Sequence, residues 1–534
     1  MSENNAYSEH GIRRKNISVF YIVGMVYCMC AAGAYGIEDM IPATGPGLCL
    51  LLLLVIPLFW SLPQAFCSAE LGSAMPEEGG FVYWAQTGLG EFWGFQVGWW
   101  RTLNVYLCHA GTLVLAVGYI SSVIPMSGVT QYILKAALII GFTLFNLREV
   151  KEISIFTTVL SIMIVVAFLG VTVVGFIYGD TNPVQPFMPE GQSLIGSLSI
   201  GLAIGMWMYS GFASITTISG EIENPKTMGI GILIGLPVVI ITYILPTLAS
   251  LSAVGPWYEW GTSGISYGDV LALVSPGLKV GFVFIAVIAS LSLFNAYIST
   301  GSRVFFVLAA DNMAPAVLTK CNKHGVPVLP VLVMGIIDLF LCQLSFVAIV
   351  LIDVTLCLFV YGIIFVTTLI MRKTHPEMPR PIKIPGGIVG VILIACAGLF
   401  IIFVALYING VDYYVGGAVA VLLGPIAYYI LRRKYGGLTK KNPEKYPENK
   451  KTHMQWGDFN HMFILCLIMA IMGIIGCIWF PWYEDPAYYV ECYGNGSYEL
   501  IMSVLHWTTI IACAGAIFTK IMDIREKKQR KELS

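Results

Sequence analysis

The residues of this chain that could do chemistry stand where chemistry is costly. Glu38, Asp39, Glu70, His109, Glu221 and Glu223 interrupt or border long apolar stretches. An ionisable group removed from water is penalised, so one inside an apolar run is a functional candidate by default. Glu38 lies five residues beyond Gly33, roughly 7–8 Å along a helix at 1.5 Å per residue. A carboxylate there can take up a proton or pair with an amine; the plainer reading is a vestibule side chain bathed in water. Asp39 points about 100° away around the same helix, so the two carboxylates are not expected to serve one site. Histidine is the side chain suited to exchanging protons near neutral pH, so His109 is either a proton relay or a histidine satisfying a neighbouring carbonyl. Glu221 and Glu223, close to Lys226, read as gate or loop ion pairs, and Glu70 as a group of the same kind.

Two other runs offer backbone chemistry. These are Ala31-Ala32-Gly33-Ala34-Tyr35-Gly36 and Gly205-Met206-Trp207-Met208-Tyr209-Ser210-Gly211. Small residues at mid-depth let a helix unwind, and the freed N–H and C=O groups are tolerated in a bilayer only where they line a cavity. Freed N–H groups can hold a carboxylate and freed carbonyls an ammonium. Close helix–helix packing by small residues is the alternative. No facing acid–base pair, nucleophile–base pair or metal cluster is visible, which argues against a membrane-embedded enzyme or a metal site. A channel would be expected to display rings of charge or a carbonyl filter loop, and neither is present. The 13 cysteines sit mostly in apolar runs, as Cys28, Cys30 and Cys108 do, and read as small buried hydrophobes.

The elements that must position these groups are membrane helices. Hydrophobic residues make up 57% of the 534 and charged residues 11%, with a mean hydropathy of +0.78. Soluble domains carry about 25% charged residues. Since a membrane helix needs about 20 apolar residues, spans are expected near 17–43, 46–72, 92–124, 129–147, 153–178, 194–220, 229–254, 278–309, 328–345, 347–371, 387–408, 412–431, 462–481 and 500–521. The two glycine-rich runs fall in spans 1 and 6, the corresponding positions of two five-helix halves, as in carriers built from inverted repeats. With the N-terminus inside and each span crossing once, all of the 30 Lys and Arg except Arg101, Lys135 and Lys279 fall on the cytoplasmic side, as the positive-inside rule requires. Both termini are therefore expected in the cytoplasm, and the first apolar segment is expected to stay in place as a span. The expected layout is a polar N-terminal segment (1–16), a twelve-helix core (17–432), a basic and solvated cytoplasmic linker (433–461), two additional spans within 462–521 and a basic tail (522–534).

Six ordered motifs carry a family resemblance. Span 1 reads GAYGIEDMIPATGP; spans 2 and 3 read AELGSAMPEEGGFVYWAQTGLGEFWGFQVGWW; span 6 ends SGEIENPKTM; span 8 ends STGSRVFFVLAADNMAP; HGVPVLP and RPIKIP follow. From about residue 17 to 432 the chain resembles the amino acid–polyamine–organocation permeases, in their polyamine and L-type amino-acid branch. The resemblance implies an all-α integral membrane protein with a LeuT-like five-plus-five inverted repeat and broken helices 1 and 6. It also implies twelve core helices, no cofactor, and alternating-access transport of a small amine-bearing solute through a cell membrane, with a proton as possible coupling ion. By motif, the solute carboxylate would sit near Ala32, Gly33 and Ala34. The ammonium would sit near the carbonyls of Met29, Trp207 and Ser210, with Trp207 matching an aromatic gate. Glu38, His109, Phe212 and Glu221 are the gate or coupling candidates. The chain departs from the plant polyamine pattern at Val97 and Cys108 and at Phe212-Ala213, where acidic residues are missing. That loss favours a zwitterion over a polyamine. Residues 153–178 hold no Lys that could replace sodium in coupling, and Ser299-Thr300 could supply hydroxyls to an ion site. Spans 13 and 14 lie outside the resemblance.

Overall fold

The computed structural model describes residues 16–30, 34–77, 79–147, 153–261, 264–322 and 326–533. Where water is excluded, a segment must satisfy its own backbone N–H and C=O groups, so the apolar runs become helices. The main helices are α1 (Val19–Met29), α2 (Pro46–Ala74), α3 (Glu91–Val123), α4 (Gly128–Asn146), α5 (Ile153–Tyr178), α6 (Leu194–Met208) and α7 (Pro225–Ala253). They continue as α8 (Pro276–Ala310), α9 (Val328–Leu341), α10 (Phe346–Thr374), α11 (Gly387–Ile408), α12 (Val411–Tyr435), α13 (Asp458–Tyr483) and α14 (Ser497–Leu533). Their starts follow local chemistry: Ser193 caps α6, Asn224 caps α7 ahead of Pro225, and Ser345 caps α10.

Among the described residues, eleven helices are long and apolar enough to cross a membrane, and α1, α6 and α9 are shorter apolar helices. Two of the short ones stop at the glycine-rich runs. After α1 the chain resumes as a 3₁₀ turn at Ile37–Asp39 leading into a helix at Met40–Thr44. After α6 it turns at Gly211, with φ of +109°, into a 3₁₀ helix at Ser214–Glu221. Both expected interruptions are therefore present. α2 is continuous but carries a π-turn at Pro57–Ser61. α3 packs along α8 and α10, and α7 against α5, α1 and the second half of α2, enclosing the broken ends.

At one end of the bundle, Glu70 of α2 is gripped by Arg372 Nε and Nη2 at 2.5 and 2.6 Å, by Arg380 at 3.3 Å and by the Ile384 N–H at 2.8 Å. The expected ion pair is thus a clamp across α2, α10 and the RPIKIP loop. Beyond α12 the chain makes a 3₁₀ helix at Gly437–Lys440 and a small antiparallel hairpin, β1 (Glu448–Asn449) with β2 (Met454–Gln455), in which Glu448 faces Gln455. Arg432, the last residue of the expected twelve-helix core, is fully buried. It pairs with Glu91 at 2.9 Å and Glu448 at 3.1 Å, and donates to the His453 carbonyl at 3.1 Å and to Thr439. A guanidinium has five donors in a fixed fork, and partners on several elements can satisfy them without water. α13 and α14 pack on each other, and α14 lies against α12.

Candidate functional site

The two interruptions meet. A Cβ on Gly211 would lie 2.5 Å from the Met29 carbonyl oxygen, so only glycine lets the end of α6 approach the end of α1 this closely. The carbonyls freed there find partners on other helices. The Tyr243 hydroxyl of α7 reaches the Cys30 carbonyl at 2.5 Å and the Met208 carbonyl at 3.1 Å, linking both breaks. Trp60 Nε1 donates to the Met206 carbonyl at 2.9 Å and to Ser210 Oγ at 3.0 Å. Ser61 donates to the Tyr209 carbonyl at 3.2 Å, and the Tyr209 hydroxyl to the Leu53 carbonyl at 2.9 Å. Trp60 and Ser61 sit in the π-turn of α2, which brings them onto the break. Sequence reasoning passed over Trp60, Ser61 and Tyr243. The available signal was a polar-tipped side chain inside an apolar span, which needs a partner when buried.

Beside the junction lies a small pocket. Of the expected residues, Met29, Trp207 and Ser210 line it, together with Gly211 and Ser214. The opposite wall was not expected: Arg101, Asn104 and Cys108 from α3, Tyr297 from α8, and Asp353, Cys357 and Tyr361 from α10. The Arg101 guanidinium donates to Asn104 Oδ1 and, at 3.0 Å, to Ser214 Oγ, and stands 5.4 Å from the Phe81 ring centre. Asn104 Nδ2 donates to Asp353 Oδ1 at 2.7 Å. The cavity is therefore lined by both a guanidinium and a carboxyl group, although acidic residues are missing at Val97, Cys108 and Phe212-Ala213. Arg101 had figured only as an exception in the charge count, and Asp353 had been absorbed into an apolar span. The rule that singled out Glu38 applies equally to both.

The remaining candidates are spread around the pocket. Ala32 and Gly33 lie outside the described residues, as does the Glu221 side chain. Ala34 and Phe212 are fully buried near the breaks but do not line the pocket. The Trp207 ring packs edge-on against Phe346 with centroids 5.2 Å apart. Glu38 is fully buried and not bathed in water: it accepts from the Gly36 N–H at 2.9 Å and from the Tyr119 hydroxyl at 2.8 Å. The partner of His109 is a carboxylate, with Nδ1 2.5 Å from Asp338 Oδ2 of α9 and both side chains fully buried. The imidazole stacks on Phe294 at 3.7 Å. Neither His109 nor Asp338 lines the pocket.

Helices broken at a shared polar pocket inside an apolar bundle define a membrane carrier, since freed backbone at that depth needs a cavity to line. The family signature described as "Amino acid permease" matches residues 17–431, and the chain belongs to that family. It is thus a multi-pass membrane permease of the secondary-transporter kind. It is 27% identical over 425 residues to polyamine transporter RMV1 of Arabidopsis thaliana, an alignment covering 78% of this chain and 86% of that protein. It is 28% identical over 426 residues to the branched-chain amino acid permease BcaP of Bacillus subtilis (strain 168), covering 74% and 88%. The methylthioribose transporter of the same bacterium is 24% identical over 435 residues, covering 77% and 92%. α13 and α14 lie beyond the family match.

Proposed function

We propose that this permease carries a small amine-bearing solute, an amino acid or a polyamine, by alternating access through the pocket between the two broken helices. The observation that carries the reading is the junction itself. Met29, Trp207, Ser210 and Gly211 bring two interrupted backbones to one small cavity. Ala32, Gly33 and Ala34 offer their N–H groups to a carboxylate; the carbonyls around Met29, Trp207 and Ser210 offer acceptors to an ammonium. Trp207 closes over the amine. Helices 1–5 and 6–10 act as inverted repeats in a core of residues 17–432, followed by the segment 433–461, two further membrane helices within 462–521 and a basic tail. Coupling is to protons, with Glu38 and His109 as carriers and Phe212 and Glu221 as gate residues. The protein works in the plasma membrane with both termini in the cytoplasm, and no enzymatic step is involved. The names of two relatives support the solute class, a polyamine transporter and a branched-chain amino acid permease.

The test is uptake into proteoliposomes of labelled amino acids and polyamines, with and without an inward proton gradient. Saturable, stereoselective uptake with counterflow is expected. Unsaturable flux would indicate a channel, and uptake indifferent to the gradient would remove the proton. Epitope tags at either terminus should resist protease on intact cells; cleavage of either would overturn the orientation.

A further inference from the structure

A fixed positive charge in a pocket for amines requires an explanation. Arg101 cannot lose its proton, and its guanidinium is held by Asn104, by Ser214 at 3.0 Å and over the Phe81 ring at 5.4 Å. It is anchored facing the cavity. Asn104 stands between it and Asp353. Because a guanidinium only donates and a carboxylate only accepts, the carboxamide is oriented with its oxygen to Arg101 and its nitrogen to Asp353, 2.7 Å away. Among the described residues no direct ion pair joins Arg101 to Asp353. Two opposite charges in direct contact would satisfy each other. Held apart by a carboxamide, they present a cation and an anion side by side to whatever enters.

We infer that Arg101 is the specificity-determining cation of this site, admitting solutes with no net charge, such as zwitterionic amino acids, and excluding polyamines. The inference rests on the proposed reading that this pocket binds the transported solute, and it separates this chain from the polyamine transporters it resembles. A zwitterion seated at the two breaks brings one charge of each sign, so its repulsion from Arg101 at one end is offset by attraction at the other. A polyamine can satisfy Asp353 with one ammonium, but its next cation then shares the small pocket with the guanidinium. Repulsion at such range lowers affinity on the order of 10- to 100-fold.

The experiment uses the full chain in proteoliposomes and measures uptake of L-leucine, L-serine, L-glutamine, putrescine and spermidine, for wild type, Arg101→Gln and Arg101→Lys. Wild type is expected to transport at least one of the amino acids and to take up both polyamines on the order of tenfold less well or worse. Arg101→Gln should raise polyamine uptake relative to amino-acid uptake by a similar factor. Arg101→Lys keeps the charge and loses the fork, so it should keep the exclusion. Comparable wild-type uptake of both classes, an unchanged ratio in the Gln variant, or identical behaviour of the Gln and Lys variants would overturn the inference. Should the Gln variant fail to fold, inhibition of wild-type amino-acid uptake decides the matter. N-acetylputrescine, with one positive charge fewer, should inhibit better than putrescine, and equal or weaker inhibition overturns the proposal. Failure of wild type to transport any of the five solutes would instead overturn the transport reading beneath it.

Discussion

Replacing Glu38 by glutamine asks whether the buried carboxylate beside the first break carries the coupling proton. Its two oxygens accept from the Gly36 N–H and the Tyr119 hydroxyl. Hydrogen bonds to an ionised acceptor contribute about 1.5–3 kcal/mol each, and an orphaned buried donor costs about 1–3 kcal/mol. In Glu38→Gln the amide oxygen can keep the Gly36 N–H, while the amide nitrogen donates to Tyr119, whose hydroxyl turns to accept. Both contacts survive in neutral form, so glutamine imitates the protonated carboxyl and should lower stability by less than about 1.5 kcal/mol. Glu38→Ala strands both donors and should cost about 2–6 kcal/mol. The assay is proteoliposome uptake at fixed internal pH, with external pH varied from about 5 to about 8, the range over which such couplings are read. Thermal unfolding of each variant runs alongside. For inward symport, wild-type uptake should rise as the outside becomes more acidic. The Gln variant should exchange solute normally with a flat pH profile. If Glu38 instead pairs with a solute amine, the Gln variant should lose affinity for cationic solutes and keep it for neutral amino acids. A Gln variant with wild-type pH dependence and unchanged affinity for both classes would refute both roles.

Three further outcomes are expected. Trp207→Ala should weaken solute affinity roughly 2- to 30-fold, the worth of a cation–π contact of about 0.5–2 kcal/mol; normal expression with unchanged affinity would remove the gate role. Tyr243→Phe deletes the hydroxyl shared by the Cys30 and Met208 carbonyls, so melting temperature and transport rate should fall together, at a cost of about 1–3 kcal/mol; an unchanged melt would show that the breaks do not depend on it. Arg432→Met strands the buried carboxylate of Glu91 and should destabilise by about 3–5 kcal/mol, and adding Glu91→Gln should restore part of that; a double variant no better than the single one would mean Glu91 is not the group left uncompensated.

The helical frame was legible because a bilayer imposes one dominant constraint, and the apolar runs answer to it residue by residue. The breaks were legible for a related reason: Gly36 and Gly211 adopt positive φ, and glycine at mid-span is the cheapest way to turn a chain out of a helix. The backbone half of the site could therefore be read in order along the chain. The side-chain half could not. Arg101, Tyr297 and Asp353 come from three helices, and only packing brings them within reach of Trp207. Glu38 stands out in the sequence as a carboxylate within an apolar run, but whether its surroundings are dry or wet cannot be read from its neighbours in the chain. Tyr119, 81 residues away in sequence, closes over it. His109 likewise drew attention as a lone histidine, and its partner Asp338 lies on another helix.

The same long-range logic bears on the two extra helices. The family match ends at residue 431, and the next residue is Arg432. One of its acidic partners, Glu91, opens α3; the other, Glu448, belongs to the hairpin beyond α12. Ten residues further along α3, roughly 15 Å at helical rise, stands Arg101. At the same end of the bundle Lys441 reaches Asp311, the residue closing α8, at 2.8 Å, and the Gly437 N–H donates to the Asn312 carbonyl at 3.0 Å. The Lys441 pair is half exposed and weak by itself; the enclosed Arg432 is the stronger tie. The segment after α12 thus grips the ends of α3 and α8, the helices that supply Arg101, Asn104 and Tyr297 to the pocket. Helices do not stretch, so a grip at the end constrains the pocket wall they carry. On the carrier reading proposed above, α3, α8 and α12 then form a fixed frame. Alternation falls to the elements outside that grip, foremost the two broken helices, whose freed carbonyls are held by the single hydroxyl of Tyr243 and a few indole and serine donors.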